Sequence, residues 1–141
     1  MTALIALVIA AFLATAAGFH LYWGLGGRHG WSVAVPQRIG GEPLFVPGAA
    51  ATLAVAAVLL VVLVSLAFYA LPVEIPVPRF WLRLLMAGFG LVFLARGLIW
   101  HDYVGFFKKV RATGFGRNDT WFYSPACVLA GIGFLVLAWH G

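Results

Sequence analysis

The sequence predicts an all-α integral membrane protein: an up-and-down four-helix bundle with a short interfacial amphipathic helix between spans three and four. Three observations predict it. Of 141 residues, 64% are hydrophobic and only 9% charged, against about 25% charged in ordinary soluble domains, so this chain cannot cover a globule with polar surface. The apolar residues gather in four stretches close to the roughly 20 residues that a spanning helix needs. Short connections join these stretches, and short connections favour antiparallel neighbours. A soluble enzyme domain is excluded, and the length is that of one domain, residues 1–141.

The first span covers about residues 2–25, where no charge occurs and Tyr22 and Trp23 fall at the level of an interfacial aromatic belt. The small-residue run Ala14-Thr15-Ala16-Ala17 is compatible with a signal-peptide cleavage site, but no basic segment precedes it and apolar residues continue past it, so a retained span is expected. Pro47-Gly48 opens the second span, about residues 48–71, and Pro72, Pro76 and Pro78 prevent its continuation. In the third, the charge-free run from Leu84 to Ala95 reaches only about 18 Å, too short to cross. Extending it to about residues 79–101 places Arg83 near one surface and Arg96 roughly 9 Å inside the other. The fourth, about residues 120–139, follows the capping residues Asn118-Asp119-Thr120 and tolerates Pro125 in its first turns.

Loops one and three hold Arg28, Arg38, Lys108, Lys109, Arg111 and Arg117, against Arg79 and Arg83 at the opposite end. The positive-inside rule therefore predicts that these loops are cytoplasmic and both termini lie on the non-cytoplasmic side; a multi-pass protein of the plasma membrane is the expected setting. The same rule accounts for the net charge of +5, so nucleic acid is not an expected partner. The single cysteine, Cys127, excludes a disulfide framework and a paired-thiol redox site.

Ala6, Ala10, Ala14 and Gly18 recur every fourth residue, a stripe expected to let a neighbouring helix approach closely. In the predicted topology His20, Thr52, Arg96, Tyr123, Ser124 and Cys127 lie at one depth on four helices, which predicts a polar chamber open to the cytoplasmic side. Each member has a structural alternative. Arg96 can snorkel to headgroups, or pair with Asp102 or Asp119; His20 can be a hydrogen-bonded core residue; Cys127 can simply fill space. Tyr103, Phe106, Phe107 and Val110 would share one face of a helix with Lys108, Lys109 and Arg111 elsewhere, the pattern of an interfacial anchor. Alternatively Lys108, Arg111 or Arg117 closes over the chamber mouth and binds an anionic group. No metal site is expected. Haem held by His20 and His101 is the one cofactor alternative, and it is opposed by their mismatched depths.

His20-Leu21-Tyr22-Trp23-Gly24-Leu25-Gly26-Gly27 and Tyr103-Val104-Gly105-Phe106-Phe107-Lys108-Lys109, continuing through Arg111, Thr113, Phe115, Asp119 and Tyr123-Ser124-Pro125, carry a resemblance. The chain resembles the small bacterial membrane proteins of domain-of-unknown-function family 3995 over nearly its whole length. That resemblance implies a four-helix membrane protein without an assigned activity. The family pattern has an acidic residue four after the arginine, where this chain carries Trp100, so a role resting on that arginine–acid pair requires Asp102, six residues on, to substitute.

Three functions follow as expectations. In the first, a small anionic or amphipathic ligand or lipid is bound or transported, with His20, Trp23, Arg96, Asp102, Lys108, Arg111, Tyr123 and Cys127 around it. In the second the chain is an accessory subunit whose partner is another membrane protein or a second copy of itself. In the third it is a membrane enzyme acting on a lipid or isoprenoid headgroup, with His20 as acid or base.

Overall fold

A computed structural model describes residues 1–74 and 76–140. The chain runs α1 (Thr2–Gly24), α2 (Trp31–Ala34), α3 (Ala49–Ala70), α4 (Arg79–Leu98), α5 (Gly114–Asn118), a π-helical turn (Asp119–Tyr123) and α6 (Ser124–His140). From α5 to α6 the helix is continuous, so four helices are long and apolar enough to cross a membrane. Together they form the four-helix bundle that the sequence predicts.

Two tight pairs build it, α1 against α3 and α4 against α6, and α1 joins them by packing on α6. The α4–α6 pair approaches to backbone contact: a Cβ on Gly131 would lie 2.8 Å from the Gly90 carbonyl oxygen. Such proximity suits a membrane, where helices associate through packing rather than water exclusion. Phe93 stacks on Phe134 at 5.8 Å, and Phe12 of α1 meets Phe93 edge-on at 5.9 Å. The densest packing, around Leu13, Leu66, Met86 and Phe134, lies in the half of the bundle away from loops one and three.

That half ends in two arginines. Arg79 Nη1 donates to the Tyr69 carbonyl at the end of α3 at 3.0 Å, with its guanidinium over the Tyr69 ring. Arg83 donates to the Ala138 and Trp139 carbonyls at the end of α6, at 2.7 and 2.9 Å. Both side chains use carbonyls that a helix C-terminus leaves unpaired.

Several expectations need correction. The small-residue stripe does not form the packing face of α1: Gly18 has nothing within 4 Å of a Cβ position, and Ala14 is exposed. A spacing of four drifts about 40° per step from the true helical period. The buried positions Ala6, Ile9, Leu13, Ala17 and Gly24, with half-buried His20 before the last, average about 3.6 residues per step instead.

The third span stops at Leu98 rather than near residue 101, and the fourth helix begins at Gly114 rather than Thr120. Thr113 is the cap, its side chain accepting the Gly116 N–H at 3.0 Å, so Asn118 and Asp119 lie inside the helix. The π turn directly before Pro125 widens the helix, with Ser124 N–H bonded to the Asp119 carbonyl.

Tyr103–Arg111 is not an interfacial helix. It is a folded loop in which Phe106 N–H bonds back to the Gly97 carbonyl, and the Lys109 and Val110 N–H groups share the Asp102 carbonyl. Gly105, at φ +88°, turns the chain where a helix would have continued.

Candidate functional site

The loop folds back because a carboxylate waits for it. The π turn carries Asp119, completely buried between α4 and the loop. Its Oδ1 accepts Arg96 Nη2 at 2.9 Å. Its Oδ2 accepts both Lys108 Nζ at 3.0 Å and the Gly105 N–H at 2.9 Å. Lys108 also donates to the Gly105 carbonyl at 3.1 Å, and only 1% of this lysine is exposed. Taking charges out of water costs several kcal/mol per ion, a cost offset only by close opposite charge and full hydrogen bonding. Asp119 supplies both, to two cations at once.

The cluster is nonetheless unbalanced. Two cations against one carboxylate leave one net positive charge. Arg96 Nη1 is buried and has no hydrogen-bond partner among the described residues, and the same holds for Ser124 Oγ. Ser124 packs against Gly97, the residue after Arg96: a Cβ on Gly97 would lie 3.0 Å from the Ser124 carbonyl oxygen. Cys127 is buried one turn further along α6. Chemically, the arrangement fixes a basic loop and offers positive charge. It presents no nucleophile and base in register.

The chain matches the profile of the family described as protein of unknown function (DUF3995) over residues 12–134. It belongs to the DUF3995 family. No curated protein and no solved structure matches it.

In this DUF3995 protein the arginine finds its acid 23 residues on, at Asp119, and not at Asp102. Asp102 is exposed and pairs with Lys109 at 2.8 Å. The hydrogen bond and charge of Lys109 hold the Asp102 carboxyl below the usual carboxylate range, and Asp102 raises Lys109 in return. Arg111 donates to the Lys108 and Phe106 carbonyls at 3.0 and 2.8 Å, which fastens it to the loop that Asp119 anchors.

Of the residues expected around one chamber, the structure brings Arg96 and Lys108 together, with Ser124 and Cys127 nearby and Arg111 fastened to the same loop. The others face elsewhere. His20 Nδ1 lies 2.8 Å from the Ala16 carbonyl of its own helix, and its ring meets Trp23 edge-on. Trp23 donates to the His29 carbonyl at 2.8 Å. Thr52 bonds to the Gly48 carbonyl. Tyr123 donates to the Val33 carbonyl at 3.3 Å, tying the fourth helix to loop one. His101 Nδ1 accepts the Tyr103 N–H in loop three. Among the described residues no three His, Cys, Asp or Glu side chains gather as metal ligands.

Neither of two sizeable cavities is lined by Arg96, His20 or Cys127. One, about 530 Å³, is a groove along α1 from Ala14 to Tyr22, with His29 at its edge. The other, about 650 Å³, lies between loops one and three. From sequence Asp119 is a capping residue or one of two possible partners for Arg96; in the structure it is the centre of the cluster. The signal was available. Of the four acids, Asp119 alone falls inside a helix apolar enough to span, and an intramembrane acid implies a partner.

Proposed function

We propose that this multi-pass membrane protein binds an anionic amphiphile at the end of the bundle formed by loops one and three, facing the cytoplasm. Arg96, Asp119 and Lys108 act as positioning residues that hold loop three in its binding shape. One observation carries this reading: a lysine and an aspartate are fully buried to fix a loop at the bundle end, and the cluster keeps one positive charge in surplus. A surplus cation close to an anionic leaflet attracts negatively charged headgroups.

Native mass spectrometry of the protein in neutral detergent, titrated with phosphatidylglycerol or phosphatidylcholine, tests it. Wild type is expected to retain phosphatidylglycerol selectively, and Arg96→Gln to lose that selectivity. Equal retention of the two lipids by wild type contradicts the proposal.

A second reading has its own observation. The unpartnered, buried Nη1 of Arg96 makes the guanidinium itself a contact for an anionic oxygen. Arg96→Lys separates the two: it keeps a cation on Asp119, so selectivity survives if Arg96 only positions the loop and falls if the guanidinium touches the ligand.

A further inference from the structure

The cavity between loops one and three is walled on one side by Ile39, Gly40 and Gly41 and on the other by the segment 109–113. Its two walls are held independently of any ligand. On the first, Arg38 N–H bonds to the Glu42 carbonyl and Gly41 N–H to the Arg38 carbonyl, closing a tight turn at 2.8 and 3.0 Å. Gln37 ties that turn to the start of α5, directly after the opposite wall. Its Nε2 donates to the Gly41 carbonyl at 3.0 Å, and its Oε1 accepts the Phe115 N–H at 2.9 Å. On the second wall, Arg111 is clamped by two carbonyls of the loop that the buried Lys108 secures.

The lining combines two chemistries. Lys109 and Arg111 supply positive charge, and no carboxylate is among the lining residues. The Asp102 partner of Lys109 is 57% exposed at the side chain, so that pair is solvent-screened and easily exchanged for another anion. Ile39, Val110 and Ala112 supply apolar surface, and Ile39 is 88% exposed although it is a large aliphatic side chain. At about 650 Å³ the volume lies within the range of small-molecule sites, roughly 300–1,000 Å³. A preformed cleft with two cations beside bare aliphatic surface suits a group that is anionic at one end and apolar at the other.

We infer that this cleft is the seat of a phosphate group with uncompensated negative charge, bound by Lys109 and Arg111, with Ile39 covering the apolar part of its carrier. The inference rests on the proposed function and names the place and chemistry of its ligand. An anionic lipid headgroup and a free phosphate share that chemistry.

The test uses the full chain in neutral detergent, followed by native mass spectrometry with dioleoyl phosphatidylglycerol, dioleoyl phosphatidylcholine and inorganic phosphate as probes. Phosphatidylglycerol is expected to bind at least about tenfold more tightly than phosphatidylcholine. Lys109→Gln and Arg111→Gln are each expected to weaken it by about tenfold, and Ile39→Ser by about threefold. Arg111 also braces the loop, so Lys109→Gln, which removes a side chain paired with an exposed carboxylate, keeps the test readable if Arg111→Gln unfolds. Weaker inorganic phosphate binding that is insensitive to Ile39→Ser assigns the lipid source. Equal binding of inorganic phosphate, lost in the lysine variant, assigns the free anion. Selective phosphatidylglycerol binding that both cleft variants leave intact overturns the cleft and spares the proposed function. No selectivity in wild type overturns both.

Discussion

Arg79 and Arg83 at one end of the bundle and Arg96 and Lys108 at the other are all basic residues near the ends of the spans, yet they are satisfied in opposite ways. The first two stay exposed and donate to carbonyls at the ends of α3 and α6. A helix C-terminus offers about half an elementary charge, enough to orient an exposed arginine but too little to bury one. Arg96 and Lys108 meet a whole carboxylate, and Lys108 disappears from the surface. What surrounds the cation therefore decides whether the chain end is a simple closure or a constructed surface. The end with the carboxylate carries a loop pinned by that carboxylate and a cleft lined by Lys109 and Arg111.

The largest expected effect breaks the constructed end. Asp119→Asn leaves the buried Lys108 and the half-buried Arg96 without a counter-charge and is expected to destabilise by about 3–5 kcal/mol, read as a loss of melting temperature in detergent or failure to fold. Gly105→Ala forces a side chain into a left-handed backbone position, where its Cβ would lie 2.5 Å from the Ile99 carbonyl. It is expected to cost about 1–3 kcal/mol in the same melt and to raise protease cleavage within loop three. At the closure end, Arg83→Gln removes hydrogen bonds to exposed helix-terminal carbonyls and is expected to cost only roughly 0.5–1 kcal/mol. A larger loss there than at Asp119 would reverse the contrast between the two ends.

The smallest effect concerns the exposed pair beside the cluster. Asp102 titrates below its ordinary value of 3.8 because Lys109 stabilises the carboxylate. The contribution is therefore full above that value and is lost as pH falls through the lowered one. Lys109, raised above 10.5, behaves in the opposite sense: its contribution is full below 10.5 and fades as pH rises through the raised value. Both side chains are exposed, so Lys109→Gln is expected to leave the melting temperature unchanged while the NMR titration of the Asp102 carboxyl moves up towards its ordinary value.

The bundle was legible because apolar length and proline punctuation act locally: α3 begins after Pro47-Gly48 and stops before Pro72 as expected. Arg96 was legible too, since a charge inside a span stands out. The fold of loop three was not. Its apolar and basic residues have helical spacing, but Gly105 and a carboxylate from another helix override that pattern, and a period carries no information about a partner 14 residues away. The polar chamber failed for a related reason. His20 and Thr52 have carbonyls of their own helix within reach, so common depth does not bring their side chains together.

The most direct test of the central claim, that Lys108 and Arg96 are held by Asp119 and not by solvent or headgroups, is a double-mutant cycle on melting in detergent with Lys108→Met, Asp119→Asn and the pair. The double variant is expected to melt higher than Asp119→Asn alone, because removing the lysine relieves one stranded buried charge, with a coupling of about 2 kcal/mol. A double variant that melts lower than either single, its losses simply adding, would contradict it.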